Sequence, residues 1–161
     1  MHAVESDRWL LNWDVRELFK RACNESLYIA DRIKEYSGSD DLNMGDTDFD
    51  VFLDFYKLAA NNVWNELNYL CVGKSDCYLA DEYTLTYTLY TRGNDPNTLP
   101  TLDGAICDYV VSVVLSKWFG LKGVSTEEMK YEGKSEIAFN KIRNCKNRFL
   151  SRTRRIIDVI L

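Results

Sequence analysis

The segment from Leu99 to Phe119 (LPTLDGAICDYVVSVVLSKWF) constrains the fold of this chain most strongly. Its polar positions Asp108, Ser112 and Ser116 recur at four-residue steps, which is the spacing of a helix. A polar line this narrow leaves most of the helix surface to be covered by other elements. Its longest apolar stretch, Ala105 to Leu115, is interrupted by Asp108 and is shorter than the roughly 20 residues of a membrane span. We therefore predict a buried central helix and no membrane contact.

Apolar residues at helical spacing predict three more helices, two amphipathic ones before the central helix and one long basic helix after it. Asn12 is the predicted N-cap of the first helix, and Ser125 and Glu128 have the spacing of a capping box at the start of the last. Gly120 and Gly123 end the central helix. The predicted bounds are Trp13 to Tyr36, Asp48 to Leu70, Leu102 to Phe119, and Ser125 to Phe149, beyond which the pattern loosens.

The run from Tyr83 to Tyr90 alternates with period two and is rich in aromatic and β-branched residues, which predicts a strand. Cys77 to Leu79 lies close enough in sequence to pair with it as a short hairpin. A lone strand or hairpin is marginal in water, so it either packs on the helices or is completed by a strand of another chain. The residues predicted to share one face, which are candidate residues of a subunit or partner interface, are Tyr83, Leu85, Tyr87 and Leu89.

These elements predict a mainly α fold of about four helices plus one β-strand or short hairpin. The chain has 161 residues, which suits a single domain with its own core. Ser39 to Gly45 is predicted to be a polar loop. Residues 150–161 are predicted to be the end of this domain or a docking tail. The N-terminus has no basic and long apolar segments of a signal peptide, so we expect synthesis in the cytosol.

Catalytic and metal-binding chemistry has little support in the sequence. His2 is the only histidine, and no glycine-rich phosphate loop is present. The five cysteines are scattered without a CxxC pair, and Asp46 to Asp50 lacks the later glycine and acid of a calcium loop. We therefore predict no enzyme activity, no cofactor and no metal site.

The net charge of −5 conceals a strong asymmetry. Met1 to Met129 carries 22 acidic and 11 basic residues, whereas Lys130 to Leu161 carries nine basic and three acidic residues. The basic end has three interpretations: a solvated helix face, a contact with an acidic protein such as a second copy, or a phosphate-binding surface. Its candidate interface residues are Lys141, Arg143, Lys146, Arg148, Arg152, Arg154 and Arg155.

The order of these elements resembles the small head–tail connector (adaptor) proteins of tailed bacteriophages, especially those of Bacteroides-type bacteria, including crAss-like phages. The resemblance covers about Trp13 to Arg155. Its most specific residues are Leu102 to Ile106, Asp108-Tyr109 and Lys117-Trp118-Phe119, and the basic helix that follows adds to it. The acidic loop and the apolar last six residues are not part of the resemblance.

The resemblance implies a structural virion protein without catalytic residues. Such connectors form a homo-oligomeric ring, commonly of twelve subunits, under the portal protein. They extend the DNA channel and join it to another neck or tail protein, and DNA passes without sequence-specific contact. It implies a location at the head–tail junction of the virion, with assembly in the host cytoplasm. The alternatives are a nucleic-acid-binding accessory protein that uses the basic C-terminal helix, and a small interaction protein directed at the host.

Overall fold

The computed structural model describes the backbone of residues 8–37, 42–70, 77–81, 84–90 and 97–160, and the side chains of 13–33, 42–70 and 97–149. Its four helices confirm the predicted mainly α class. A hairpin is also present, but it belongs to a three-stranded sheet. The elements in chain order are β1 (Arg8–Asp14), α1 (Val15–Ser37), α2 (Phe49–Leu67), β2 (Cys77–Asp81), β3 (Thr84–Tyr90), α3 (Thr98–Leu121) and α4 (Ser125–Ile160).

Helix α3 is the centre of the core, as its composition predicts. It packs along α4 and is also contacted by α2 and α1. Even two serines of the predicted polar line, Ser112 and Ser116, are buried, and Asp108 alone opens to solvent. Within the described part of the chain, α3 is the one helix long and apolar enough to cross a membrane, but 67% of its most apolar window is buried inside the protein. The apolar surface of α3 is thus used for packing against the other helices.

The turn between α3 and α4 fixes the two helices as an antiparallel pair. Val124 N–H donates to Phe119 O at 2.9 Å, and Gly123 N–H donates to Gly120 O at 3.1 Å, which together form a Schellman motif. Gly123 has φ of 73°, a conformation that favours glycine. Glu128 N–H donates to Val124 O, so Val124 and not Ser125 occupies the N-cap of α4. The predicted capping box is therefore wrong, because the N-cap lies one residue before Ser125.

The described part of the predicted polar loop, residues 42–45, forms neither helix nor strand, but two of its side chains are buried, and residues 39–41 lie outside the described part of the chain. The side chains of Leu42 and Met44 are buried, and a backbone group of each residue forms a hydrogen bond with another element. Trp118 Nε1 donates to Leu42 O at 2.7 Å, and Met44 N–H donates to the Ser26 hydroxyl at 2.8 Å. These two hydrogen bonds hold the start of α2 against α3 and α1.

The sheet has the strand order β1-β3-β2, and both pairs are antiparallel. Strand β1 was not predicted, and Asn12, the predicted N-cap, lies within it, opposite Thr86. Asp14 takes the capping role instead, since its Oδ1 accepts the N–H of Arg16 at 2.8 Å. Of the two alternatives for the Tyr83–Tyr90 run, completion by a strand of another chain does not apply to β3, because it is the central strand and its neighbours on both sides come from the same chain.

The sheet joins the helical body at the end from which α4 projects. Helix α4 has 36 residues and α3 has 24, so α4 extends past the start of α3 by about 18 Å at 1.5 Å per residue. Arg32 of α1 bonds to Glu127 near the start of α4, so the other end of α1, at Val15, points toward the projecting end. Because β1 runs directly into Val15, the sheet and the end of α4 lie on the same side of the body.

Candidate interaction surfaces on helix 4

The basic residues of α4 do not form one face. Arg143 and Lys146 lie three residues apart on the flank that faces α2, and their side chains reach Glu66. Lys141 and Arg148 lie seven residues apart on the opposite flank, which faces α1. The buried residues Ile142, Cys145 and Phe149 separate the two flanks and pack against the rest of the core. The predicted cationic surface is therefore two surfaces with different surroundings.

The two cations of the α2-facing flank pair with one carboxylate within the chain. Lys146 Nζ lies 2.5 Å from Glu66 Oε1, and Arg143 Nε lies 3.5 Å from Glu66 Oε2. The hydrogen bond from Lys146 is the main reason why the pKa of Glu66 is lowered. Arg143 also stacks over the Phe139 ring, with its guanidinium carbon 4.8 Å from the ring centroid. These two cations therefore have partners inside the chain and are poorly placed for binding another molecule.

The α1-facing flank carries a line of cations along α4. Lys130, Lys134, Lys141 and Arg148 follow one another at intervals of four, seven and seven residues, which places them on one side of the helix. Lys134 and Lys141 are exposed and form no ion pair with an acid of the described residues. The charges of Lys134 and Lys141 are thus available to a partner, whereas Lys130 is paired with Glu127.

A groove separates this flank of α4 from α1, and its floor is α3. Two adjoining hollows of about 290 and 320 Å³ share Glu25 and Lys134 in their walls. Tyr28 and Ile137 are exposed apolar side chains, 70% and 61% accessible, in the walls of the two hollows. The groove therefore combines cationic and apolar groups with two carboxylates, those of Glu25 and Asp108, along one open channel.

Ion pairs between the helices hold the walls of the groove in place. Arg21 donates to Asp108 Oδ1 at 2.7 Å and to Glu25 Oε1 at 3.1 Å, which connects α1 with α3. Arg32 donates to Glu127 Oε1 at 2.7 Å, and Lys130 donates to Glu127 Oε2 at 3.1 Å. Because Glu127 is buried, its bond with Arg32 fixes the start of α4 against α1, and Lys130 supplies a second donor from within α4.

Tyr131 lines the groove, and its ring contacts the ammonium group of Lys134. Its hydroxyl donates to Glu25 Oε2 at 3.4 Å, and burial followed by the charges of Glu25 and Glu127 raises its pKa well above the usual range. Lys134 Nζ lies 4.3 Å from the centroid of the Tyr131 ring, a cation–π contact. The ring thus holds the Lys134 ammonium over the groove while leaving it exposed.

The remaining predicted interface residues lie at the projecting end. Leu85, Tyr87 and Leu89 are on β3, where they pair with Trp13, Leu11 and Trp9 of β1, and Tyr83 lies outside the described residues. Arg152 and Arg155 continue the helical register of Arg148, whereas Arg154 continues that of Arg143. The edges that the described sheet presents are those of β1 and β2.

The described thiols are poorly suited to nucleophilic chemistry. Burial, followed by the charges of nearby aspartates, raises the pKa of Cys23 and of Cys107 to about 11, so both are protonated at neutral pH. Residues 8–37, 42–70 and 97–160 contain no group of three or more His, Cys, Asp and Glu side chains that could hold a metal ion.

Most of the residues that line the groove were not predicted from the sequence. Lys130 and Lys134 were not among the candidate residues, although their spacing from Lys141 and Arg148 was visible in the sequence. Arg21 and Tyr28 gave no such signal, because only the fold brings α1 opposite α4. No protein-family model matches the chain, and searches of curated proteins and of solved structures find no match. Function is therefore inferred from the chain's own surfaces and from the resemblance described above.

Proposed function

We propose that this protein is a subunit of a head–tail connector ring of a tailed bacteriophage. In this proposal copies of the chain form a ring under the portal protein, extend the DNA channel and offer a surface to a further neck or tail protein. The protein acts as a structural part of the virion at the head–tail junction and assembles in the host cytoplasm. DNA passes through the ring without sequence readout.

One observation carries the proposal: a compact helical body bears a sheet and a projecting basic helix at the same end. The sheet has two edge strands, β1 and β2, whose outer backbone groups are suited to pairing with another chain. The projecting part of α4 carries Arg152, Arg154 and Arg155. The same end of the body therefore offers strand edges and positive charge to a partner.

The charge distribution also supports a ring. A ring needs heterologous contacts, in which one surface of a subunit meets a different surface of the next. The chain offers surfaces of opposite sign, since residues 1–129 are strongly acidic and α4 is basic. The pairing of Arg143 and Lys146 with Glu66 disfavours the alternative of a nucleic-acid-binding protein, because it occupies two cations that phosphates would need.

The test is coexpression of the full chain with the portal protein encoded in the same genome, followed by purification through the portal and electron microscopy. We expect closed rings of this chain on the portal. A chain that does not bind the portal, and that as a monomer binds a DNA duplex tightly at about 150 mM salt, overturns the proposal in favour of nucleic-acid binding. A chain that binds neither portal nor DNA also overturns it.

A further inference from the structure

Helix α2 presents a second surface that complements the groove. Its buried residues, among them Tyr56 and Val63, face α3. On the opposite side Asp50, Asp54 and Leu58 follow one another at four-residue steps and are exposed. Neither aspartate forms an ion pair with a cation of the described residues. This line, which we name the α2 ridge, is therefore acidic at one end and apolar at the other.

The α1-facing flank of α4 has the matching order of charges. Lys130 and Lys134 are four residues apart, and Ile137 follows after three. Residues four apart on a helix are about 6 Å apart along the axis, so two aspartates of the ridge span the same distance as these two lysines. In the same alignment, Leu58 reaches the level of Ile137, where both side chains would be covered.

We propose that the α2 ridge of one copy docks into the groove between α1 and α4 of a neighbouring copy. Asp54 faces Lys134, whose ammonium has no ion pair among the described residues, and Leu58 contacts Ile137. Asp50 lies at the level of Lys130, which also bonds to Glu127. The occupant of the groove is thus a second copy of this chain. The inference deepens the proposed function, on which it rests, by naming the contact between neighbouring subunits.

The positions of the two surfaces make this contact propagate. The ridge points away from α3, whereas α3 forms the floor of the groove, so one copy can use both surfaces at once. A contact between two different surfaces is heterologous and closes into a ring when the rotation between neighbours allows it. The ridge and the groove therefore supply the two different surfaces that a ring contact requires.

The test uses two charge reversals in the full chain, Asp54→Lys and Lys134→Asp, with self-association measured by sedimentation velocity at low ionic strength and by ring formation on the portal. Each variant alone should associate at least about tenfold more weakly than the wild type, because like charges then meet. An equimolar mixture of the two should associate almost as well as the wild type, since every contact then joins opposite charges. Asp31→Lys and Lys20→Asp, on the other side of α1, are controls with the same change in net charge and should have no effect.

The outcomes separate this contact from the proposed function. Self-association that neither reversal weakens, or a mixture that is not rescued, overturns the docking of ridge into groove while portal-bound rings still support the connector. Self-association with the expected rescue but no portal binding supports the contact and overturns the connector. A wild-type chain that associates neither in solution nor on the portal overturns both. Circular dichroism and thermal melting of each variant verify that it is folded.

Discussion

The two flanks of α4 both carry cations, but in different surroundings. On the α2-facing flank, Arg143 and Lys146 are committed to Glu66, and Lys146 is only 19% exposed. On the α1-facing flank, Lys134 and Lys141 are exposed beside an open groove. A basic helix in a sequence therefore does not specify one function for its charges. Those on one flank hold the fold together, and those on the other are available for binding.

Among the substitutions that test this difference between the flanks, removal of Glu66 should change stability most. In Glu66→Ala the half-buried Lys146 loses its partner, and we expect the free energy of unfolding to fall by about 2 kcal/mol. Urea titration followed by circular dichroism measures this loss. Asp54→Ala, at an exposed acid on the same helix, is the control and should change stability by less than about 0.5 kcal/mol. Equal stability of the two variants would show that the ion pairs of the α2-facing flank contribute no more to stability than an exposed surface acid does.

The pH dependence of stability should report the same contact with a smaller effect. Because the folded-state pKa of Glu66 is lowered, its carboxylate contributes stability that is fully present above the unfolded-state pKa of about 4.3 and is lost as the pH falls through the folded-state pKa. The wild type should therefore exceed Glu66→Gln in stability at pH 7, and this difference should shrink below about pH 4.3. Melting temperatures from pH 7 to pH 3 measure it. A difference that stays constant with pH would contradict the role assigned to the ion pair.

Substitution on the α1-facing flank should have the smallest effect on stability. Lys134 is exposed and contacts only the Tyr131 ring among the described residues, so Lys134→Ala should change the free energy of unfolding by no more than about 0.5 kcal/mol. The same urea titration measures it, with Lys20→Ala on the outer side of α1 as the control. A loss as large as that expected for Glu66→Ala would mean that both flanks are structural, and the comparison would fail.

Much of the helical body could be predicted because its signals are local. The composition of Leu99 to Phe119 predicts a covered helix, and α3 is covered on nearly all sides. The predicted bounds of α2 are confirmed to within one helical turn when the short 3-10 turns at its ends are included. Helix α4 continues to Ile160. Its apolar pattern loosens after Phe149 because beyond that residue α3 no longer lies beside it.

The sheet and the groove could not be predicted because they depend on distant residues. Strand β1 pairs with β3, so Arg8 lies opposite Tyr90, and no local pattern predicts that pairing. Trp13 was assigned to the start of the first helix, because Asn12 before it is a suitable N-cap and the apolar residues from Val15 onward have helical spacing. The groove likewise needs Arg21 of α1 beside Asp108 of α3, a contact between residues 87 positions apart.

The central position of β3 has a consequence for the synthesis of the protein. Strand β1 leaves the ribosome before β3, and its partner is complete only when Tyr90 has been added. At about 5–20 residues per second, β1 waits roughly 4–16 s with its backbone groups unpaired. During that interval α1 and α2 can fold, whereas the N-terminal strand is open to pairing with a nascent chain on a neighbouring ribosome. Slower translation between α2 and β3 should therefore increase misassembly at the sheet before it affects the helices.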